Sequence, residues 1–225
     1  MQQMTDNRLS AIALIAGSCG SIITMAFHPS GHIAAAQLET TIRMLILVHA
    51  LALACVPILF LGSLGLSQRL AGAGRLEVIG LVFYAFALVA VMAAAVADGL
   101  VTPSVLRQIV ASADSESAAN TWRMFSRYTF YLNQACAQVF VAGSSAAILA
   151  WSVAMWRNSF SRALGIYGTI VAAVTLAVMF SGHLPLDVHR FGAVVLGQAV
   201  WLVIAGTQLW SGRPLEVEPV RAATV

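Results

Sequence analysis

Ile42-Arg43-Met44-Leu45-Ile46-Leu47-Val48-His49-Ala50 opens an apolar run that continues to Leu64 without another charge. A run of this length crosses a hydrocarbon core of about 30 Å as a helix. Inside lipid the helix is favoured because it pairs its own backbone N–H and C=O groups. Comparable runs occupy residues 9–27, 78–101, 164–180 and 191–210, with a longer one at 121–156. The chain therefore reads as all-α, a polytopic membrane protein. Its expected form is a six-transmembrane-helix bundle with one amphipathic helix in the long connection between the third and fourth spans.

Composition points the same way. Of 225 residues, 60% are hydrophobic and 9% charged, where soluble domains carry about a quarter charged. Residues 1–212 read as a single transmembrane domain, and 213–225 as a polar, proline-containing, disordered tail. Lysine is absent, and the arginines gather at the ends of the apolar runs. That pattern suits anionic lipid headgroups, and it lacks the basic stripe of a nucleic-acid surface. Ala16-Gly17-Ser18-Cys19 resembles a lipoprotein cleavage site, but the leucine expected three before the cysteine is missing and the apolar run goes on to Phe27. The first run is read as a retained span. Cys19, Cys55 and Cys136 all fall inside apolar runs, which argues for packing thiols and against a disulfide framework.

The long connection starts with Thr102-Pro103, a helix-start pattern, and Leu106, Ile109, Val110 and Ala113 recur at helical spacing. This is the expected amphipathic helix, lying on the membrane or on the bundle and ending in the polar run 114–120. The fourth helix is too long for one crossing, so its first turns should project beyond the hydrocarbon. On it Arg127, Tyr131, Gln134 and Gln138 follow at steps of four, three and four, on one face. Amides facing lipid are costly, so this stripe is expected to line the protein interior. Trp151 and Trp156 are expected in an interfacial aromatic belt at the other end of that helix.

With six spans, both termini share a side with the two turns that carry Arg69, Arg75, Arg157 and Arg162. The positive-inside rule then puts that side in the cytoplasm, with a modest bias because Arg107, Arg123 and Arg127 fall on the other side, and the expected location is a bacterial cytoplasmic (inner) membrane. All five histidines, His28, His32, His49, His183 and His189, fall in the opposite half, together with Glu39, Asp98 and Asp187. His49 lies about 10 Å inside its span at 1.5 Å per residue, a depth at which an ionisable group is a functional candidate.

Neutral imidazole is the commonest metal ligand, and zinc or copper accepts several histidines with a carboxylate or an open position. The hinge Ser181-Gly182-His183-Leu184-Pro185-Leu186-Asp187-Val188-His189-Arg190 supplies two of them, and Pro185 breaks any continuous helix there. The expected site is built from His183 and His189 with some of His28, His32, His49 and Asp98. Asp187 is placed as a ligand or as the acceptor that orients a ring. A b-type haem needs two histidines on facing helices at matching depth. Only His49 is clearly inside a helix, so haem is the weaker cofactor reading.

A metal with an open position turns water into a nucleophile, so a hydrolase acting on a lipid amide or ester is the leading enzymatic reading. The combination is distantly similar to the membrane hydrolases of the alkaline ceramidase and adiponectin receptor kind, which join intramembrane histidines with aspartate and serine. This chain has neither their spacing nor their number of spans, and no residue is carried over. The alternatives are a transporter or binding protein for a small solute or proton, with Arg127, Gln134, Gln138 and His49 along its route, and a structural membrane protein. The partners implied are the bilayer and a lipid or small-molecule substrate.

Overall fold

The structure, a computed structural model, describes residues 2–29, 37–72, 74–158, 160–182 and 187–211. Among these the chain is helical throughout, with no strand. The helices are α1 (Gln2–Ala26), α2 (Leu38–Arg69), α3 (Leu76–Val96), α4 (Thr102–Ala111), α5 (Glu116–Arg157), α6 (Arg162–Phe180) and α7 (Val188–Ser211). A π-helical turn, Ala97–Val101, joins α3 to α4, so the chain is helical from Leu76 to Ala111. Six helices are long and apolar enough to cross a membrane.

Small residues set how the helices meet. On α1, Gly17 lies against Leu59 and Gly20 against Cys55, while Gly62 and Gly65 of α2 receive Leu14 and Ser10 in return. As one number rises the other falls, so the pair is antiparallel, and the missing side chains let the two backbones approach closely. Gly80 faces Trp151 and Gly143 faces Ala87, which makes α3 and α5 antiparallel as well. Tyr167 Oη donates to the Gly197 carbonyl at 3.0 Å and Trp201 Nε1 to the Leu164 carbonyl at 3.2 Å, which ties α6 to α7.

Several boundaries differ from the sequence expectation, each for a local reason. Helix α2 continues past its apolar run to Arg69, and Ser67 is buried as the acceptor of Trp151 Nε1 at 3.0 Å. Gly72 and Gly74, with φ of 99° and 73°, then reverse the chain in the left-handed conformation open to glycine. Thr102 does not cap a new helix. It is itself helical, and its Oγ1 donates to the Ala97 carbonyl at 3.1 Å, across the π turn. Helix α5 starts at Glu116, capped by Ser115, so much of the expected polar loop is helix.

Trp151 is a correction in kind. It is 0% exposed, packed near Tyr84 and stacked on Trp201 at 6.1 Å, and its Nε1 also reaches the Glu77 carbonyl at 3.3 Å. A tryptophan near a span end suits an interface, but here three helices converge on the ring and bury it. Trp156, 43% exposed, does reach the surface. Among the cysteines, Cys55 is buried and Cys136 intermediate, while Cys19 is exposed and is not a core thiol.

The two arginine-bearing turns gather at one end of the bundle. Asn158 Nδ2 donates to the Leu70 carbonyl at 2.7 Å, and the Arg69 guanidinium lies 5.8 Å from the Phe160 ring. Arg8 sits 5.5 Å from the Trp210 ring, so the start of α1 and the end of α7 share that end. The opposite end holds the C-terminus of α1, the first turns of α2, α5 and α7, the π turn and α4.

Candidate metal centre

At that second end three side chains from three helices converge. His28 follows the last turn of α1, His49 is buried on α2, and Asp98 lies in the π turn. His28 Nε2 is 3.4 Å and His49 Nε2 3.3 Å from the same oxygen, Asp98 Oδ2. The π turn is what allows this approach. Gly99, next to Asp98, faces His49 so closely that an added Cβ would overlap the histidine's own Cβ. Such turns recur at functional sites because the extra residue re-aims the side chains around it.

The far side of each ring fixes which nitrogen carries its first hydrogen. His49 Nδ1 lies 2.7 Å from the Leu45 carbonyl and His28 Nδ1 3.0 Å from the Pro29 carbonyl. A carbonyl oxygen only accepts, so each Nδ1 carries the hydrogen, and in the neutral ring Nε2 is left with its lone pair. Both lone pairs therefore point at a carboxylate oxygen. Three electron-rich atoms facing one another repel unless positive charge lies between them, as protons on the rings or as a metal ion. The three ligand atoms lie within 4.8 Å of one another. Tetrahedral coordination at ordinary zinc bond lengths separates adjacent ligand atoms by about 3.3 Å, which matches the two N···O distances. The backbone carbonyls behind the rings are the orienting partners that metal-bound histidines usually have. The two rings meet edge to face with centroids 5.1 Å apart. Aimed at one shared oxygen, they leave no room for a macrocycle between them.

Among the other described residues singled out from sequence, Asp187 lines the cavity that the group opens into, while His189 and Glu39 do not. His32 and His183 are outside the described residues. His189, exposed on the first turn of α7, is not part of the group; it lines an adjoining recess of about 370 Å³ that also touches His28. Asp187 is occupied as the cap of α7, its Oδ1 accepting from Arg190 N at 2.8 Å and its Oδ2 3.5 Å from Arg190 Nε. Glu39 pairs instead with Arg107, through two bonds of 3.2 Å that tie α4 to the start of α2. Both partners are about half exposed, so this tether contributes little to stability.

A cavity of about 730 Å³ runs from the triad into the bundle. His28, His49 and Asp98 line one part of it. Ala52, Val56, Leu59, Leu88 and Val91 form an apolar continuation. Tyr131, Gln134 and Gln138 of the α5 stripe lie on its wall, whereas Arg127 is exposed and lies off it. Asn133 is on the same wall and escaped the sequence reading, because it falls between the positions of the stripe. Gly99 escaped too, since nothing in the sequence marks the π turn.

No protein-family model matches the chain, and neither a curated protein nor a solved structure is similar to it. The geometry alone therefore carries the functional reading.

Proposed function

We propose that this membrane protein holds a zinc-type metal ion through His28 Nε2, His49 Nε2 and Asp98, and that it hydrolyses an acyl amide or ester within the bilayer. The observation that carries this is the pair of imidazoles with Nδ1 tied to carbonyls and Nε2 aimed at one carboxylate oxygen. Two nitrogens and an oxygen are a donor set for zinc or another first-row divalent ion, not for magnesium or calcium; the carboxylate also argues against copper(I), which prefers thiolate and thioether. With three protein ligands such an ion keeps a position for water and makes it a nucleophile near neutral pH. Hydrolysis adds that water across the C–N or C–O bond and releases a carboxylic acid with an amine or alcohol. The chain's own part is to hold the two rings in one tautomer, to bring Asp98 against them through the π turn, and to offer a largely apolar cavity beside them.

A second reading follows from the same geometry. If protons rather than a metal lie between the rings and Asp98, the group is a charged pair on a proton or solute route along the cavity. Protein purified in detergent without a histidine tag separates the two. About one equivalent of zinc by elemental analysis, lost in His49→Ala and Asp98→Asn variants that still fold, is the expected result. A folded wild-type protein that takes up no divalent metal when dialysed against zinc overturns the metal reading in favour of the protonated pair. We propose further that the end with the two short arginine-bearing turns faces the cytoplasm of a bacterial inner membrane, with the metal centre toward the outer face.

A further inference from the structure

The α5 wall of the cavity carries polar groups with no partner among the described residues: Asn133 and Gln134 are half-buried there and Gln138 is exposed. Asn133, Gln134 and Gln138 line it, and among the described residues none of the three side-chain amides makes a hydrogen bond. The hydroxyls across the cavity behave differently. Ser21 Oγ donates to the Gly17 carbonyl at 2.9 Å and Thr24 Oγ1 to the Gly20 carbonyl at 3.0 Å, so both are satisfied within α1. Amides at membrane depth are costly when hydrocarbon is their only neighbour. Three of them on one cavity wall point to an occupant that carries polar atoms.

Register gives their level. Gly80 faces Trp151 and Ala87 faces Gly143, so the antiparallel pairing of α3 and α5 brings Asp98 level with Asn133, and puts Gln138 about one turn deeper. Below them the lining is apolar. From His49 to Leu59 on α2, and from Asp98 to Leu88 on α3, the distance is about 15 Å at 1.5 Å per residue. A volume of about 730 Å³ suits one ligand of moderate size. Phe130 and Tyr131, both lining residues, are 57% and 68% exposed, so the cavity opens along α5 toward the surroundings of the bundle, which for these helices is lipid.

We infer that the cavity binds one single-chain acylated amphiphile from the bilayer. The acyl chain, about twelve carbons for a depth of about 15 Å, lies along Val56, Leu59, Leu88 and Val91. The amide or ester linkage sits beside His28, His49 and Asp98, and the side-chain amides of Asn133, Gln134 and Gln138 bond its polar atoms. This assignment rests on the hydrolase reading for where the linkage lies, but the binding step itself needs no metal.

The test is equilibrium binding of radiolabelled N-dodecanoyl ethanolamine to the full chain in lipid nanodiscs, with protein-free nanodiscs subtracted. Saturable binding near one equivalent is expected. The double variant Gln134→Leu, Gln138→Leu should bind about tenfold more weakly, and Leu88→Trp, which fills the apolar end, should abolish binding; both should keep the wild-type zinc content. Gln138→Ala alone serves if the double variant does not fold. Uptake no greater than in empty nanodiscs, or binding unchanged in all these variants, overturns the assignment. If wild-type protein takes up no metal yet binds the probe in this pattern, the hydrolase reading fails and the lipid site stands.

Discussion

Asp98 shows how much a single residue depends on its neighbours. Alone at the end of a span, a carboxylate simply reaches water; here its oxygen is the point on which two imidazoles converge. The sequence marked His28, His49 and Asp98 individually, because ionisable groups in or beside apolar runs are rare. It gave greater weight to the His183–His189 hinge, of which His183 lies outside the described residues and His189 lines a recess beside the group. Trp151 makes the same point from the core. Its Nε1 serves both Ser67 Oγ and the Glu77 carbonyl, and its ring lies flat against Trp201. Trp151→Phe removes that donor and some buried volume, so a loss of about 2 kcal/mol is expected. Thermal unfolding in detergent should show a lower midpoint than for Trp156→Phe, whose ring is partly at the surface. Equal midpoints for the two variants would mean that Trp151 does not anchor the core.

At the scale of elements, the decisive feature is the π turn between α3 and α4. The π turn carries Asp98 and places Gly99 directly against His49, while its extra residue re-aims α4 relative to α3. Gly99 lets α2 pass close enough for His49 to meet it. Gly99→Ala should therefore weaken zinc binding at least tenfold, since the added Cβ must push His49 away. Gly192→Ala, whose Cβ would make only an ordinary 3.5 Å contact with Met25, is the control and should bind zinc like wild type. Zinc titration of both proteins against a competing chelator measures this, and equal affinities would show that the site does not depend on that close approach. The helices themselves were legible as apolar runs. The π turn was not, because Thr102-Pro103 has the composition of a helix start and only the hydrogen bond from Thr102 back to Ala97 reveals continuity.

For the whole molecule, the two ends of the bundle differ in chemistry. One gathers Arg8, Arg69, Arg75, Arg157 and Arg162, four of them on two short turns; the other carries Arg43, Arg107, Arg123, Arg127 and Arg190 together with the histidine–aspartate group, α4 and the mouth of the cavity. The proposed orientation rests on the two short turns, to which the positive-inside rule applies. In intact cells, with the native cysteines replaced, a membrane-impermeant maleimide should label Ala113→Cys, beyond α4, and leave Ala71→Cys unlabelled until the cells are opened. The reverse pattern would place the metal centre on the cytoplasmic side.

The number of membrane helices and their approximate extents were determined by the sequence alone. In hydrocarbon each segment must satisfy its own backbone and match its own side chains to lipid, so the information is local. Which polar residues meet was decided only by tertiary structure. That depends on the rotation and depth of each helix against its neighbours, set by contacts such as Gly17 with Leu59, Gly80 with Trp151 and Gly99 with His49. Those contacts join residues far apart in the chain, and no periodicity within one segment encodes its partner's register.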